Sequence, residues 1–330
     1  MCQLGDGDYR EALASARAYS ALADAAPDVQ MSNRLIGVPM HYLGDHREAR
    51  VRIGRGLDIC PPLSPVGVRF RFGQPMESRV ILAQILWLQG FPDEALETAC
   101  YSVSESRASG HAISHCDALA QAMCPIALRV GDYALAESSI EQLQNIAERY
   151  ALGPWSILSQ CWKAALHIVR GERDVGIFML TSKLELLQDA RFAFYRTQFM
   201  GTLAAAIADR GDIVQGLAVI EDALTRCETR ELWCLPEMLR LKGEILALGK
   251  DADKLLIEDY FRRSLRCAQQ QRALSWELRA AMSLAELQRR EGLIDRARAT
   301  VTDVYERFTE GFATADLKTA QDLICTMRPS

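Results

Sequence analysis

Gly7-Asp8-Tyr9-Arg10-Glu11-Ala12 returns as Gly44-Asp45-His46-Arg47-Glu48-Ala49 and again as Gly90-Phe91-Pro92-Asp93-Glu94-Ala95. The same punctuation continues at Gly131-Asp132-Tyr133, Gly171-Glu172, Gly211-Asp212, Gly249-Lys250 and Gly292-Leu293-Ile294-Asp295. Successive glycines lie 37, 46, 41, 40, 40, 38 and 43 residues apart, which is the period of a helix-pair solenoid. Each glycine ends an apolar helical stretch and precedes an acidic or Ala-rich one, so each reads as a left-handed C-cap between two antiparallel helices. The chain is therefore expected to be all-α, an α-solenoid of about seven to eight hairpins wound into a right-handed superhelix.

Such an array grows by adding units that touch only their neighbours, so residues 1–330 read as a single repeat array without a domain boundary. The spacing predicts helices over 28–43 and 46–59, 75–89 and 92–108, 112–130 and 132–149, and 155–170 and 173–188. The series continues over 192–210 and 212–227, 232–248 and 254–270, and 274–291 and 294–308, with a capping helix over about 313–326 that carries Leu317, Leu323 and Ile324. Residues 1–4 read as the last turn of a helix that starts earlier, which predicts a C-terminal piece of a longer protein.

Composition narrows the function. With 49% hydrophobic and 25% charged residues and a net charge of −5, the segment as a whole does not present a nucleic-acid-binding face. Ten scattered cysteines without a Cys-x-x-Cys pair suit a reducing cytoplasm. No apolar run approaches a membrane span, and no secretory leader opens the sequence.

Catalytic patterns are not found. Gly243 to Asp251 resembles a phosphate loop, but five residues separate Gly243 from Gly249 and Asp251 stands where Ser or Thr would hold magnesium, so a hairpin turn is expected. His111 and His115 lie four apart on one helical face, yet no further ligand follows at a recognisable interval. Glu94, Glu137, Glu286 and Asp295 fall in first turns or on polar faces, where they complement the helix dipole. No catalytic, cofactor-binding or metal residue is assigned.

The expected site is the inner face lined by the first helix of each pair. Its candidates are Arg79, Gln84, Gln121, Trp162, Gln198, Arg240 and Arg279, with a protein or peptide segment as partner. The tryptophans Trp87, Trp155, Trp162, Trp233 and Trp276 read as wedges between hairpins, and Trp155 and Trp162, seven apart, also suit a groove lining. Residues 60–74 interrupt the rhythm: Cys60-Pro61-Pro62-Leu63-Ser64-Pro65 cannot continue a helix. There Arg69, Phe70, Arg71 and Phe72 alternate cation and aromatic, as gap plugs or as a loop contact.

The stretches Trp233 to Glu244, Tyr260 to Leu265, Ser275 to Ala285 and Phe308 to Leu317 resemble the C-terminal tetratricopeptide region of bacterial multidomain signalling proteins. The likeness extends upstream through Leu86 to Leu96 and Gly110-His111. These are predicted ATPases of the STAND type, fused to a class III adenylate/guanylate cyclase domain or to a winged-helix transcriptional regulator domain. The resemblance implies a tetratricopeptide-like sensor or partner-binding arm that restrains such an effector, while ATPase and cyclase residues belong to other domains. A free-standing adaptor or scaffold is the alternative.

Overall fold

The computed structural model describes residues 7–23, 25–58, 74–189, 194–250 and 252–327. Among these residues helix α1 (Tyr9–Ser20) precedes seven hairpins, and one further helix follows them. The hairpins are α2 (Ala26–Tyr42) with α3 (His46–Asp58), α4 (Gln74–Leu88) with α5 (Pro92–Ser109), and α6 (Ala112–Ala118) and α7 (Cys124–Val130) with α8 (Tyr133–Arg149). The others are α9 (Gly153–Val169) with α10 (Arg173–Asp189), α11 (Arg196–Asp209) with α12 (Ile213–Thr229), α13 (Leu235–Ala247) with α14 (Lys254–Gln271), and α15 (Leu274–Arg290) with α16 (Ile294–Tyr305). Helix α17 (Ala315–Thr326) follows the seventh hairpin. The described residues contain no strand, and the architecture is the expected tetratricopeptide-like α-solenoid.

The glycine-aspartate phrase folds as its chemistry requires. Gly44, Gly131 and Gly211 take φ of +86°, +87° and +109°, a region that costs a side chain about 1–2 kcal/mol. The aspartate after each donates its N–H back into the preceding helix, Asp45 to the Met40 carbonyl, Asp132 to Ala127 and Asp212 to Ile207. Its carboxylate then accepts from the next helix, from the Glu48 N–H at 3.2 Å, Leu135 at 2.9 Å and Gln215 at 3.0 Å. One dipeptide thus ends one helix and starts the next. Gly249 departs from the expectation: it is not among the positive-φ glycines. Asp253 caps α14 instead, its carboxylate accepting from the Leu255 and Leu256 N–H groups.

The third hairpin contains a feature that periodicity does not show. Its first helix passes through a π-turn at Leu119–Met123, where the Cys124 N–H reaches the Leu119 carbonyl instead of Ala120. Pro125 follows and has no N–H to offer Gln121. The carbonyls of Ala120 and Gln121 are freed together, and both point at other hairpins.

The array coils until it meets itself. The N–H groups of Leu232 and Trp233 donate to the Tyr42 carbonyl, linking the first hairpin to the sixth. Ser275 Oγ donates to the Trp87 carbonyl at 2.5 Å, linking the second to the seventh. Glu310 Oε1 accepts the N–H groups of Asp93 and Glu94 at 2.9 and 3.0 Å, and Gly311 N–H donates to Asp93 Oδ2 at 2.9 Å. Helix α17 rests near α7 of the third hairpin, with Ala315 against Gly131. Each link joins a hairpin to the element five units further on, so one superhelical turn closes in about five hairpins.

The hairpin bends record this closure. A Cβ added to Gly90 would sit 2.6 Å from Leu274 Cδ2 and 3.1 Å from Phe308, whereas one added to Gly211 would meet nothing within 4 Å. Gly211→Val is expected to cost about 1–2 kcal/mol, from backbone strain alone. Gly90→Val is expected to cost about 1–3 kcal/mol more, because overpacking is added to the same strain. Urea melts of the two variants check this; equal losses would mean that the seam is not closed in solution.

Candidate functional site

Because the coil closes, its first helices line an axis and not an open trough. At that axis lies Arg129, on the last turn of α7 and 5% exposed. Its guanidinium carbon lies 4.7 Å from the ring centre of Trp87, 5.5 Å from Trp233, 5.8 Å from Trp276 and 5.9 Å from Tyr195. Nη2 donates to Gln198 Oε1 at 2.6 Å, while Nε and Nη1 have no hydrogen-bond partner among the described residues. Burial holds the guanidinium below its ordinary range, near 10. Five hairpins contribute to this cage.

Beside it runs an ionic ladder. Glu237 accepts from Arg240 Nε at 2.7 Å and Nη2 at 2.9 Å, and from Arg279 Nη1 at 3.2 Å. Arg279 Nε also donates to Asp316 Oδ2 at 2.8 Å, and its guanidinium lies 5.4 Å from Trp87 and 5.1 Å from Trp276. Arg240 adds Glu244 and Ser283. Burial alone would raise the Glu237 carboxyl, but Arg240 and Arg279 pull it down to about 2.

A polar relay crosses the N-terminal half of the axis. Gln84 Nε2 and the Tyr195 hydroxyl both donate to the freed Gln121 carbonyl at 2.8 Å, and Trp162 Nε1 donates to the Ala120 carbonyl at 2.9 Å. With its amide so engaged, Gln84 offers Oε1 to His41 Nε2 at 3.0 Å, which assigns His41 Nδ1 as acceptor from His46 Nδ1 at 3.2 Å. Gln121 Nε2 and Trp155 Nε1 donate to Asp117 Oδ1.

These buried titrating groups set an acid sensitivity. Burial depresses His41 well below its usual value and holds His46 near 4, while it lifts Asp117 to about 6. The histidines lend stability above about pH 6.5 that is lost on acidification, since only the unfolded chain takes up their protons readily. Asp117 acts oppositely, favouring the folded state below about pH 4 and losing that contribution as pH rises through about 6. With His115 also depressed by burial, three histidines oppose one carboxyl, so the folded state binds fewer protons than the unfolded chain between about pH 6 and 4 and stability falls on acidification through that window. Denaturant melts at pH 7 and 5 check the sign; unchanged stability would remove the buried histidine pair.

The inner-face candidates separate into three groups. Gln198, Arg240 and Arg279 meet at the axis around Arg129 and Glu237. Gln84, Gln121 and Trp162 join the relay and are buried. Arg79 stands apart, pairing with Glu105 at 2.5 Å and lying 4.7 Å from the Tyr101 ring centre. Arg69, Phe70, Arg71 and Phe72, and most of the irregular loop 60–74, lie outside the described residues.

Arg129 and Tyr195 escaped the sequence reading. Arg129 looks like an ordinary last-turn cation, and the one local signal near it was Pro125 inside an apolar helix. His111 and His115 do not converge: His111 Nδ1 accepts the Ser114 N–H at 3.3 Å, and His115 pairs with Ser106 Oγ at 3.0 Å. Among the described residues no group of three or more His, Cys, Asp and Glu stands close enough to hold a metal, and no helix is long and apolar enough to cross a membrane.

No family model matches the chain, and no curated protein matches it. Solved structures do. A Rap protein complexed with competence and sporulation factor aligns with a TM-score of 0.60 at 10% identity, over 99% of this chain and 97% of that one. The apo form of RapI aligns with a TM-score of 0.54 at 10% identity, over 90% of this chain and 99% of that one. At such identity the likeness shows the fold alone.

Proposed function

We propose that residues 1–330 form one interaction array, the non-catalytic sensor arm of a bacterial cytoplasmic signalling or transcription-regulating system, and that it takes a protein or peptide segment. The observation that carries this reading is the axis itself. One buried arginine touches side chains from the second, fifth, sixth and seventh hairpins while belonging to the third. A segment bound there engages the whole coil at once and shifts the balance between closed and opened states, which linkage requires of a sensor. The similar Rap chain solved with a bound factor supports a binding role, and the free thiols of buried Cys116, Cys124, Cys161, Cys227 and Cys234 suit a reducing compartment.

The effector we assign is a STAND-type ATPase, a class III cyclase or a winged-helix regulator, on the resemblance carried by Trp233 to Leu317. Affinity capture from the native lysate with this chain as bait tests it. Retention of one such effector is expected. Repeated recovery of unrelated proteins sharing a short peptide would instead favour the free adaptor, and recovery of neither would overturn both readings.

A further inference from the structure

The unsatisfied chemistry of the axis identifies what the site takes. We propose that the closed coil holds a receptor for a carboxylate of a short peptide, with Arg129 as the group that binds it and the seam between the second and seventh hairpins as its door. This rests on the peptide-binding reading and adds the ligand's chemistry and its point of entry.

A guanidinium removed from water loses several kcal/mol of hydration unless acceptors replace it. The neighbouring arginines have theirs: Arg240 holds Glu237 and Glu244, and Arg279 holds Glu237 and Asp316. Arg129 has one neutral amide oxygen and four aromatic rings, and its Nε and Nη1 donors meet no acceptor among the described residues. Ring faces offset part of that cost but give no hydrogen bond. The chemistry that completes the site is an anion with paired oxygens, and Arg matches a carboxylate in this way.

The position of the rings says where it enters. Trp87 and Trp276 meet edge to face, with centroids 4.8 Å apart, and belong to the two hairpins that the seam joins. Among the described residues the seam carries the Ser275 hydroxyl on the Trp87 carbonyl and the hydrogen bonds of Glu310 and Gly311 to the first turn of α5. Parting the seam separates the two indoles and uncovers Arg129 from one side. The closed state then competes with the ligand, so weakening the seam strengthens binding.

The full chain, immobilised, is offered random pentapeptides with free C-termini, the same pool amidated, and an amidated pool without Asp or Glu. Retained peptides are read by mass spectrometry. Enrichment of carboxylate-bearing peptides by about tenfold or more over the last pool is expected, and its loss in Arg129→Gln. Loss on amidation alone assigns the C-terminus, and persistence in the amidated pool assigns an acidic side chain. The seam variant Asp93→Ala/Glu310→Ala, which leaves Arg129 in place, is expected to retain severalfold more of the same peptides. Equal retention of all three pools, or retention unchanged by Arg129→Gln, overturns the carboxylate while leaving peptide binding intact. Retention of no pool by either the parent or the seam variant overturns the peptide reading with it. Should Arg129→Gln fail to melt cooperatively, the seam variant decides: retention no higher than the parent's rejects the door.

Discussion

Glu237→Ala is expected to destabilise the chain by about 3–5 kcal/mol in denaturant melts, because it removes a buried carboxylate and leaves two partly buried guanidinium groups facing each other without it. Arg240 and Arg279 both donate to Glu237, on side chains that are 16% and 21% exposed. Removing the acceptor withdraws three hydrogen bonds to a charged group and adds like-charge repulsion. Glu237→Gln keeps the shape and one acceptor oxygen but not the charge, and is expected to lie between the parent and Ala. Glu137, whose pair with Arg170 is exposed, is the control: Glu137→Ala should change the melt little, since water replaces the partner. Equal, small effects at both positions would show that water reaches the ladder and that the axis is not closed.

Trp233→Ala is expected to cost about 3–5 kcal/mol, the ordinary range for emptying a buried aromatic site. Trp233 has no exposed surface; it meets Tyr195 and Tyr42 edge to face at 5.7 and 6.5 Å and lies under Arg129. Its Nε1 donates at 2.8 Å to the buried Glu231, which also accepts from the Thr197 hydroxyl. Trp233→Phe separates the two contributions: it keeps most of the ring but removes the donor, and should cost about 1–3 kcal/mol through Glu231. A Phe variant as damaging as Ala would place the whole effect on the hydrogen bond, and a harmless Ala variant would mean that the cage does not form.

Local and distant information divide sharply in this chain. The helix pairs lie within a few residues of their expected bounds because Gly211-Asp212 and its relatives are self-contained devices: one left-handed residue, one capping carboxylate, one turn. The closure was not legible in the same way. Gly44, Gly90, Gly131, Gly171 and Gly211 share a sign of φ and similar surroundings in sequence, yet an added Cβ at the first three would meet Gln271, Leu274 and Ala315 while the last two face open space. That difference depends on the small rotation between successive hairpins, which accumulates over 188 residues between Trp87 and Ser275 and leaves no trace in any one repeat.

The inner-face residues divide in the same way. Arg240 and Arg279 were recognisable as first-helix cations, but their partners Glu237 and Asp316 became meaningful only once the helices were rotated toward the axis. Arg129 carried no local mark, because what distinguishes it is the set of hairpins that surround it. Pro125 was the exception: a residue without an N–H in an apolar helix signals freed carbonyls.

Small-angle X-ray scattering of the isolated chain tests the self-closed coil most directly. A closed array of this length is expected to give a radius of gyration of about 20 Å, the value for a compact chain, and a distance distribution with one symmetric maximum. A markedly larger radius with an extended tail would mean that hairpins five units apart do not meet and that Arg129 faces solvent, contradicting the closed coil.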